Sequence, residues 1–328
     1  MLRLTDRRHL FLIAAVLAAL LVFAGPASAQ AKKLTNGEYR AEINGVAHWY
    51  KIAGAEQKTV PLVIIHGGPG GNVYNFERLA GKRLEKFATV IYYEQRGSGR
   101  SAAPQDENDY SMPLLIADLE ALRRKLGVER MIPLGFSFGG ELALEYALAH
   151  PAAVDRLILQ SASQGDWDRS QRTQIKAFKS ISPPETTAEI AAIERANTPL
   201  EQRWNEVWNT VDTETVDRLL FYNREAARLN RKMWDESGLK NTGQMYRALR
   251  KRPAPEKSLL ERARALKIPT LLMVGLYDRN VGVDAVRDLS SAVSDSKLVI
   301  FERSGHFPDI EETDKYVRVV REFISRRN

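Results

Sequence analysis

Six near-continuous apolar runs, at 62–65, 89–93, 131–134, 157–159, 270–274 and 298–301, punctuate the chain. Short runs without polar alternation suit strands covered on both faces of a sheet. Helical periods lie between them. Leu115, Leu119, Leu122 and Leu126 repeat at helical spacing behind Ser111 and Pro113, residues suited to a helix start. Leu142 with Tyr146, and Val317 and Val320 with Ile324, mark two further helices. Strand and helix alternate, which predicts an α/β fold with a doubly wound, mostly parallel sheet and helices on both faces.

The alternation stops between residues 164 and 256. That stretch holds no comparable apolar run but carries Trp167, Trp204, Trp208 and Trp234, is interrupted by Pro183-Pro184, and closes on Arg252-Pro253-Ala254-Pro255. The pattern divides the chain into a core at 30–163 and 257–328, an inserted helical cap at 164–256, and a leader at 1–29. Trp204 and Trp208, four apart on one helical face, either pack the cap together or line a substrate pocket. From 218 to 252, ten basic residues face three acidic ones, so the cap edge is either an attractor of anions or a solvated surface.

The leader has the parts of an export signal. Arg3, Arg7 and Arg8 precede an apolar run at 10–24, Gly25-Pro26 breaks it, and Ala27-Ser28-Ala29 supplies small residues for cleavage. The run is shorter than the ~20 residues that span a bilayer. Arg7-Arg8 also fits a twin-arginine signal, leaving the export route open. A periplasmic or secreted product is therefore expected. With no cysteine, disulfide scaffolds and cysteine-based zinc modules are excluded. A net charge of +7 over 328 residues, without a basic block or an aromatic-basic signature, argues against nucleic acid as a partner.

The sharpest chemical signal is Gly135-Phe136-Ser137-Phe138-Gly139-Gly140, between a strand at 131–134 and a helix running toward His150. A strand-turn-helix elbow needs glycines because its backbone leaves no room for side chains beside a projecting nucleophile. Ser137 is that nucleophile, and the Phe138 N–H at the helix start is one donor to an oxyanion.

A serine hydroxyl needs a base, usually a histidine oriented by a carboxylate. His9 lies in the leader and His48 in a hairpin-like segment with an expected surface role. His150 is about 20 Å from Ser137 along its own helix at ~1.5 Å per residue, and His66 shapes a loop. His306, following the last strand, remains. Asp278, directly after the run at 270–274, best fits the order Ser, Asp, His. Asp284 and Asp288 resemble an exposed helix start, and Asp309 follows the histidine. In His66-Gly67-Gly68-Pro69-Gly70-Gly71, Gly67 or Gly68 offers the second oxyanion donor. Neither a P-loop nor a dinucleotide pattern is completed there, and no metal-binding spacing occurs, so neither cofactor nor metal is expected.

With these motifs in view, the chain resembles the α/β-hydrolase superfamily and, within it, the proline iminopeptidase-like serine peptidases. The resemblance rests on His66-Gly67-Gly68-Pro69-Gly70, on Tyr93-Glu94-Gln95-Arg96-Gly97-Ser98-Gly99-Arg100-Ser101 and on the elbow followed by Leu142-Ala143-Leu144. It implies Ser137 as nucleophile, His306 as general base and acid, Asp278 as orienter and a cap that selects substrate. Two departures stand out: Glu94 replaces the group's usual aspartate, and no late-cap acidic motif occurs at 242–246. Glu206 and Glu225 are the substitutes considered for gripping a peptide amine. The function expected is that of a secreted aminopeptidase on short peptides, acting through an acyl-enzyme. A carboxylesterase or related small-molecule hydrolase, and a non-catalytic binding protein, are the alternatives. Oligomeric state is left open.

Overall fold

The computed structural model describes residues 33–253 and 255–326, so the predicted leader lies outside the described residues. The strands are β1 (Gly37–Ile43), β2 (Val46–Ala53), β3 (Leu62–Ile65), β4 (Val90–Tyr93), β5 (Ile132–Phe136), β6 (Leu157–Gln160), β7 (Thr270–Gly275) and β8 (Ser296–Phe301). They form one sheet in the order β1-β2-β4-β3-β5-β6-β7-β8. The β1–β2 and β2–β4 pairs are antiparallel, and every other pair is parallel. All six apolar runs of the sequence fall on strands.

Helices α1 (Tyr74–Arg78) and α2 (Ala80–Leu84) precede β4, α3 (Met112–Lys125) precedes β5, and α4 (Phe138–Ala149) follows it. Between β6 and β7 come α5 (Trp167–Ile181), α6 (Pro184–Arg195), α7 (Leu200–Thr210), α8 (Thr213–Leu220), α9 (Arg224–Ser237), α10 (Gln244–Arg250) and α11 (Leu259–Ala263). Then α12 (Val283–Ala292) joins β7 to β8, and α13 (Pro308–Glu311) and α14 (Thr313–Ile324) end the fold. None of the described helices is long and apolar enough to cross a membrane.

Alternate residues of β3 separate the core into two layers. Val63 and Ile65 join Leu115, Leu119, Leu142, Val286 and Leu289 on one face, while Leu62 and Ile64 join Ala80, Leu84, Tyr316 and Val320 on the other. That division follows from the two-residue period of a strand. The α3 periodicity is realised as read: Ser111 caps the helix by accepting from Leu114 N–H, with Pro113 in the first turn. The helices between β6 and β7 have a core of their own around Ile175, Phe178, Ile190, Val207 and Leu219.

Among the buried ionic groups is one that joins β2 to α3. Arg96 Nε and Nη2 each donate at 2.7 Å to the two oxygens of Asp118, which also accepts from Asn44 at 2.9 Å. Burial works against the Asp118 charge, but the His48, Arg96 and Asn44 contacts outweigh it and hold the carboxyl below its usual range. His48 is the correction here. It is fully buried on β2, stacked on Tyr93 and 3.4 Å from Asp118, so it ties the hairpin to α3 and has no surface role. Removing one partner of a buried pair strands the other charge away from water. Asp118→Ala is expected to lower the unfolding free energy by about 3–5 kcal/mol, measured by urea denaturation.

Candidate functional site

Ser137 sits between β5 and α4 with φ 54° and ψ −119°, a backbone conformation that L residues rarely adopt. Its surroundings hold it there: Ser137 N–H donates to Gln160 O at 2.9 Å, and Ser137 O accepts from Gly140 and Ser163 N–H at 2.9 and 3.1 Å. Gly135 and Gly139 allow the tight turn. A Cβ on Gly135 would stand 2.2 Å from Gly139 O, and one on Gly139 would stand 2.1 Å from Ile65 O. Phe138, the first residue of α4, has no intrahelical acceptor for its N–H.

The loop after β3 lies directly against this elbow. A Cβ on Gly67 would be 2.9 Å from Ser137 Cβ, and Gly68 lines the cavity above the serine. His66 shapes the loop, as the sequence suggested. Its Nδ1 donates to Gly67 O at 2.8 Å while Nε2 accepts from Gln95 N–H at 3.2 Å, and burial lowers its pKa, so it is held neutral. Gln95 Nε2 returns a bond to His66 O at 2.8 Å. The neighbouring Glu94 is fully buried and accepts from Arg100 Nη2 at 2.8 Å and from Val73 N–H at 3.3 Å.

Asp278 and His306 arrive from the ends of β7 and β8 and meet, with His306 Nδ1 donating to Asp278 Oδ2 at 2.9 Å. Asp278 Oδ1 accepts from Asn280 and Val281 N–H, each at 3.0 Å. Burial pushes the Asp278 carboxyl up, but the adjacent His306 and the two N–H donors outweigh it and hold it below the usual range. The imidazole packs on Phe136, with ring centroids 4.9 Å apart, which brings it beside the residue preceding Ser137. His306 Nε2 does not bond the serine. It faces Asn280 Nδ2 at 3.2 Å, and Ser137 Oγ has no hydrogen-bond partner among the described residues. Asp309 is buried against Gln160 and has no bond to the histidine.

The His306 loop also hangs from the helices above it. His306 N–H donates to Leu220 O at 2.7 Å. Glu311 accepts from Tyr222 and Asn223 N–H at 2.8 and 2.7 Å with one oxygen, and from Gly305 N–H at 2.6 Å with the other.

A cavity of about 260 Å³ opens over Ser137. Phe138, Trp167, Trp204, Trp208 and Tyr246 supply aromatic walls, with Trp167–Tyr246 and Trp204–Tyr246 centroids 5.1 and 5.8 Å apart. Trp204 and Trp208 thus serve both readings: they line the cavity, and Trp208 packs edge-on against Phe178 in the core of the cap. Glu206 and Glu225 are not brought to the cavity. Glu206 faces Gln202 on the outer side of α7, and Glu225 is exposed on the first turn of α9. Asp166 is the carboxylate among the lining residues. The basic cap edge is partly paired: Arg224 meets Glu214, Arg231 meets Asp217, and Arg250 meets Glu201 and Asp168.

Sequence reasoning missed Gln174 and Asn280, which join the cap to His306. Their signals were weak but present. Trp167, Gln171 and Gln174 fall at i, i+4 and i+7 on one face of α5, and Asn280 stands two residues beyond Asp278. Glu141 was also missed. It is buried behind the elbow and accepts from Ser163 Oγ at 2.7 Å.

Gly135 and Gly139, by permitting the serine elbow, also identify the class, since the α/β hydrolases are organised around such a turn. The alpha/beta hydrolase fold model matches residues 60–313. A proline iminopeptidase of Lactobacillus helveticus is 30% identical over 89% of this chain and 98% of its own. Among solved structures, a proline iminopeptidase-related protein of Thermus thermophilus superposes with a TM-score of 0.74 at 20% identity, covering 89% of this chain and 98% of that one. The meta-cleavage product hydrolase of Pseudomonas fluorescens gives 0.61 at 25% identity over 88% and 97%. The chain belongs to the α/β-hydrolase fold family, in its proline iminopeptidase-like branch, and is a hydrolase.

Burial pushes the Glu141 carboxyl up to about 7, although the Ser163 hydroxyl and Gly165 N–H favour its charged form. An acid that holds its proton more tightly when folded stabilises the fold below the unfolded value of 4.5, and that stability is lost as pH rises through about 7. Glu141→Gln is therefore expected to gain stability relative to the native chain by about 1–3 kcal/mol between pH 4 and pH 8, read from urea unfolding across that range. A difference independent of pH would contradict the assignment.

Proposed function

We propose that the protein is a serine aminopeptidase that removes an N-terminal residue from short peptides through an acyl-enzyme on Ser137. His306 Nε2 takes the hydroxyl proton as Ser137 Oγ attacks the scissile carbonyl, and Asp278 holds the imidazole in the tautomer that leaves Nε2 free to accept. The oxyanion is met by Phe138 N–H and by Gly67 or Gly68 N–H. Collapse expels the shortened peptide as an amine that carries away the proton from His306. Water, deprotonated by the same nitrogen, then releases the first residue.

The observation that carries this reading is the cavity over the serine, aromatic on its walls and with Asp166 at its edge. An N-terminal residue fits such a space with its side chain against the rings. Its ammonium is drawn to the Asp166 carboxylate and to the ring faces. The proline iminopeptidase relatives, matched over nearly their whole length, support the same choice. The largely uncharged aromatic walls also suit a neutral ester, so a carboxylesterase is the second reading. Export is part of the proposal, on the grounds of Arg7-Arg8, the apolar run and Ala27-Ser28-Ala29.

Purified protein is assayed on aminoacyl-naphthylamides and p-nitrophenyl esters. Ser137→Ala and His306→Ala are each expected to lower kcat/KM at least about 10³-fold without loss of fold. Activity near the native level in either variant rejects the triad. Asp166→Asn keeps the α5 cap, because asparagine accepts from Arg169 N–H as aspartate does. It is expected to raise KM about tenfold for substrates with a free amine and to leave ester hydrolysis unchanged. Strong ester turnover with amide turnover at the Ser137→Ala background selects the esterase. Failure of a fluorophosphonate to label Ser137 leaves only a binding role.

A further inference from the structure

The orientation of one buried amide is decided by groups that can only donate. Trp204 Nε1 and Trp208 Nε1 both point at Gln174 Oε1, at 2.6 and 3.0 Å. An indole N–H has no acceptor capacity, so the Gln174 oxygen must face the tryptophans and its NH₂ must face away. That NH₂ lies 2.8 Å from Asn280 Oδ1. Asn280 is oriented in turn, and presents its own NH₂ to His306 Nε2 at 3.2 Å. A donor against Nε2 requires an unprotonated nitrogen there, which leaves the ring proton on Nδ1, facing Asp278 Oδ2.

We propose that Gln174 and Asn280 form a polar relay through which the cap tryptophans Trp204 and Trp208 keep the His306 Nε2 lone pair occupied until substrate enters. The proposal rests on His306 being the base of the reaction. Asn280 grips both partners, since its backbone N–H bonds Asp278 Oδ1 while its side chain bonds His306. Gln174 and Asn280 both line the cavity, so a ligand seated among the aromatic walls competes for the same amides. Asn280 and Ser137 compete for one lone pair. Displacing the Asn280 amide lets the serine hydroxyl donate there, and an empty site keeps its nucleophile unactivated. Asn280 and Gln174 are positioning residues in this scheme.

The ionisable groups around His306 are Asp278 from the β7 loop, Asp309 and Glu311 from α13, and Arg279, whose guanidinium is turned to Arg218 O. None of them changes in the variants used to test the relay. Gln174→Glu replaces the NH₂ with a second acceptor. Asn280 must then turn over to donate to it, presenting Oδ1 to His306 Nε2 and favouring the imidazolium.

The rate of Ser137 labelling by a fluorophosphonate, measured against pH, reports His306 protonation whether the enzyme prefers amides or esters. The acid limb of Gln174→Glu is expected about one pH unit above that of the native protein. In an Asn280→Ala background the same substitution is expected to move the limb by less than half as much. Asn280→Asp, which puts an acceptor at Nε2 without touching Gln174, is expected to shift the limb upward as well. Equal shifts with and without Asn280 would mean that the charge introduced by Gln174→Glu acts through space alone, which overturns the relay, as would an unmoved limb in both Gln174→Glu and Asn280→Asp. Labelling that persists near the native rate in His306→Ala would instead remove His306 as base and the relay with it.

Discussion

The closeness with which α4 lies against β3 and β5 governs the rest of the structure. Side chains at 135 or 139 would collide with backbone, which cannot swing aside as a flexible side chain can. The helix would have to retreat from the sheet, taking the Phe138 N–H away from the serine and relaxing the positive φ that lifts Ser137 into the cavity. The raised serine and the free N–H at the start of α4 are thus two results of one packing constraint. The Gly67 loop depends on it too, because that loop occupies the space directly beside the serine Cβ.

Charge is distributed unevenly around this centre. Asp278 keeps its charge in a buried position because the adjacent His306 and two backbone N–H donors offset its burial. His66, equally buried, is kept neutral and serves as a structural strut. Between the cap and His306 stand two carboxamides, Gln174 and Asn280. A carboxamide carries directional information without a net charge, so orientation passes across a partly dry space without the desolvation cost that an ion there would incur. The aromatic walls need no such compensation, apart from indole N–H groups that Gln174 satisfies.

Much of this was legible from the chain. Apolar runs located the sheet because parallel strands are covered on both faces, and the glycine spacing located the elbow because no other residue fits. Asp278 and His306 could be chosen by their places after strands, since topology carries strand ends to one edge. The misreadings have a common cause. His48 follows a turn in a hairpin, which suggests exposure, and only tertiary pairing with Asp118 buries it. Glu206 and Glu225 carry the right chemistry on the wrong helical faces. Gln174 and Asn280 have no local signature, because their role arises from donors on α7 and an acceptor beyond β8, far away in sequence.

The suspension of the His306 loop from Leu220, and the three N–H groups that Glu311 gathers from both sides of that junction, limit how the architecture can diversify. A chimera that imports a foreign lid wholesale would also replace the peg on which the imidazole hangs. New selectivity is more readily reached by repainting the inner faces of α5 and α7 while the segment around 220–223 stays put. Recognition can drift on one side of the lid only as long as the other side continues to hold the His306 loop in place.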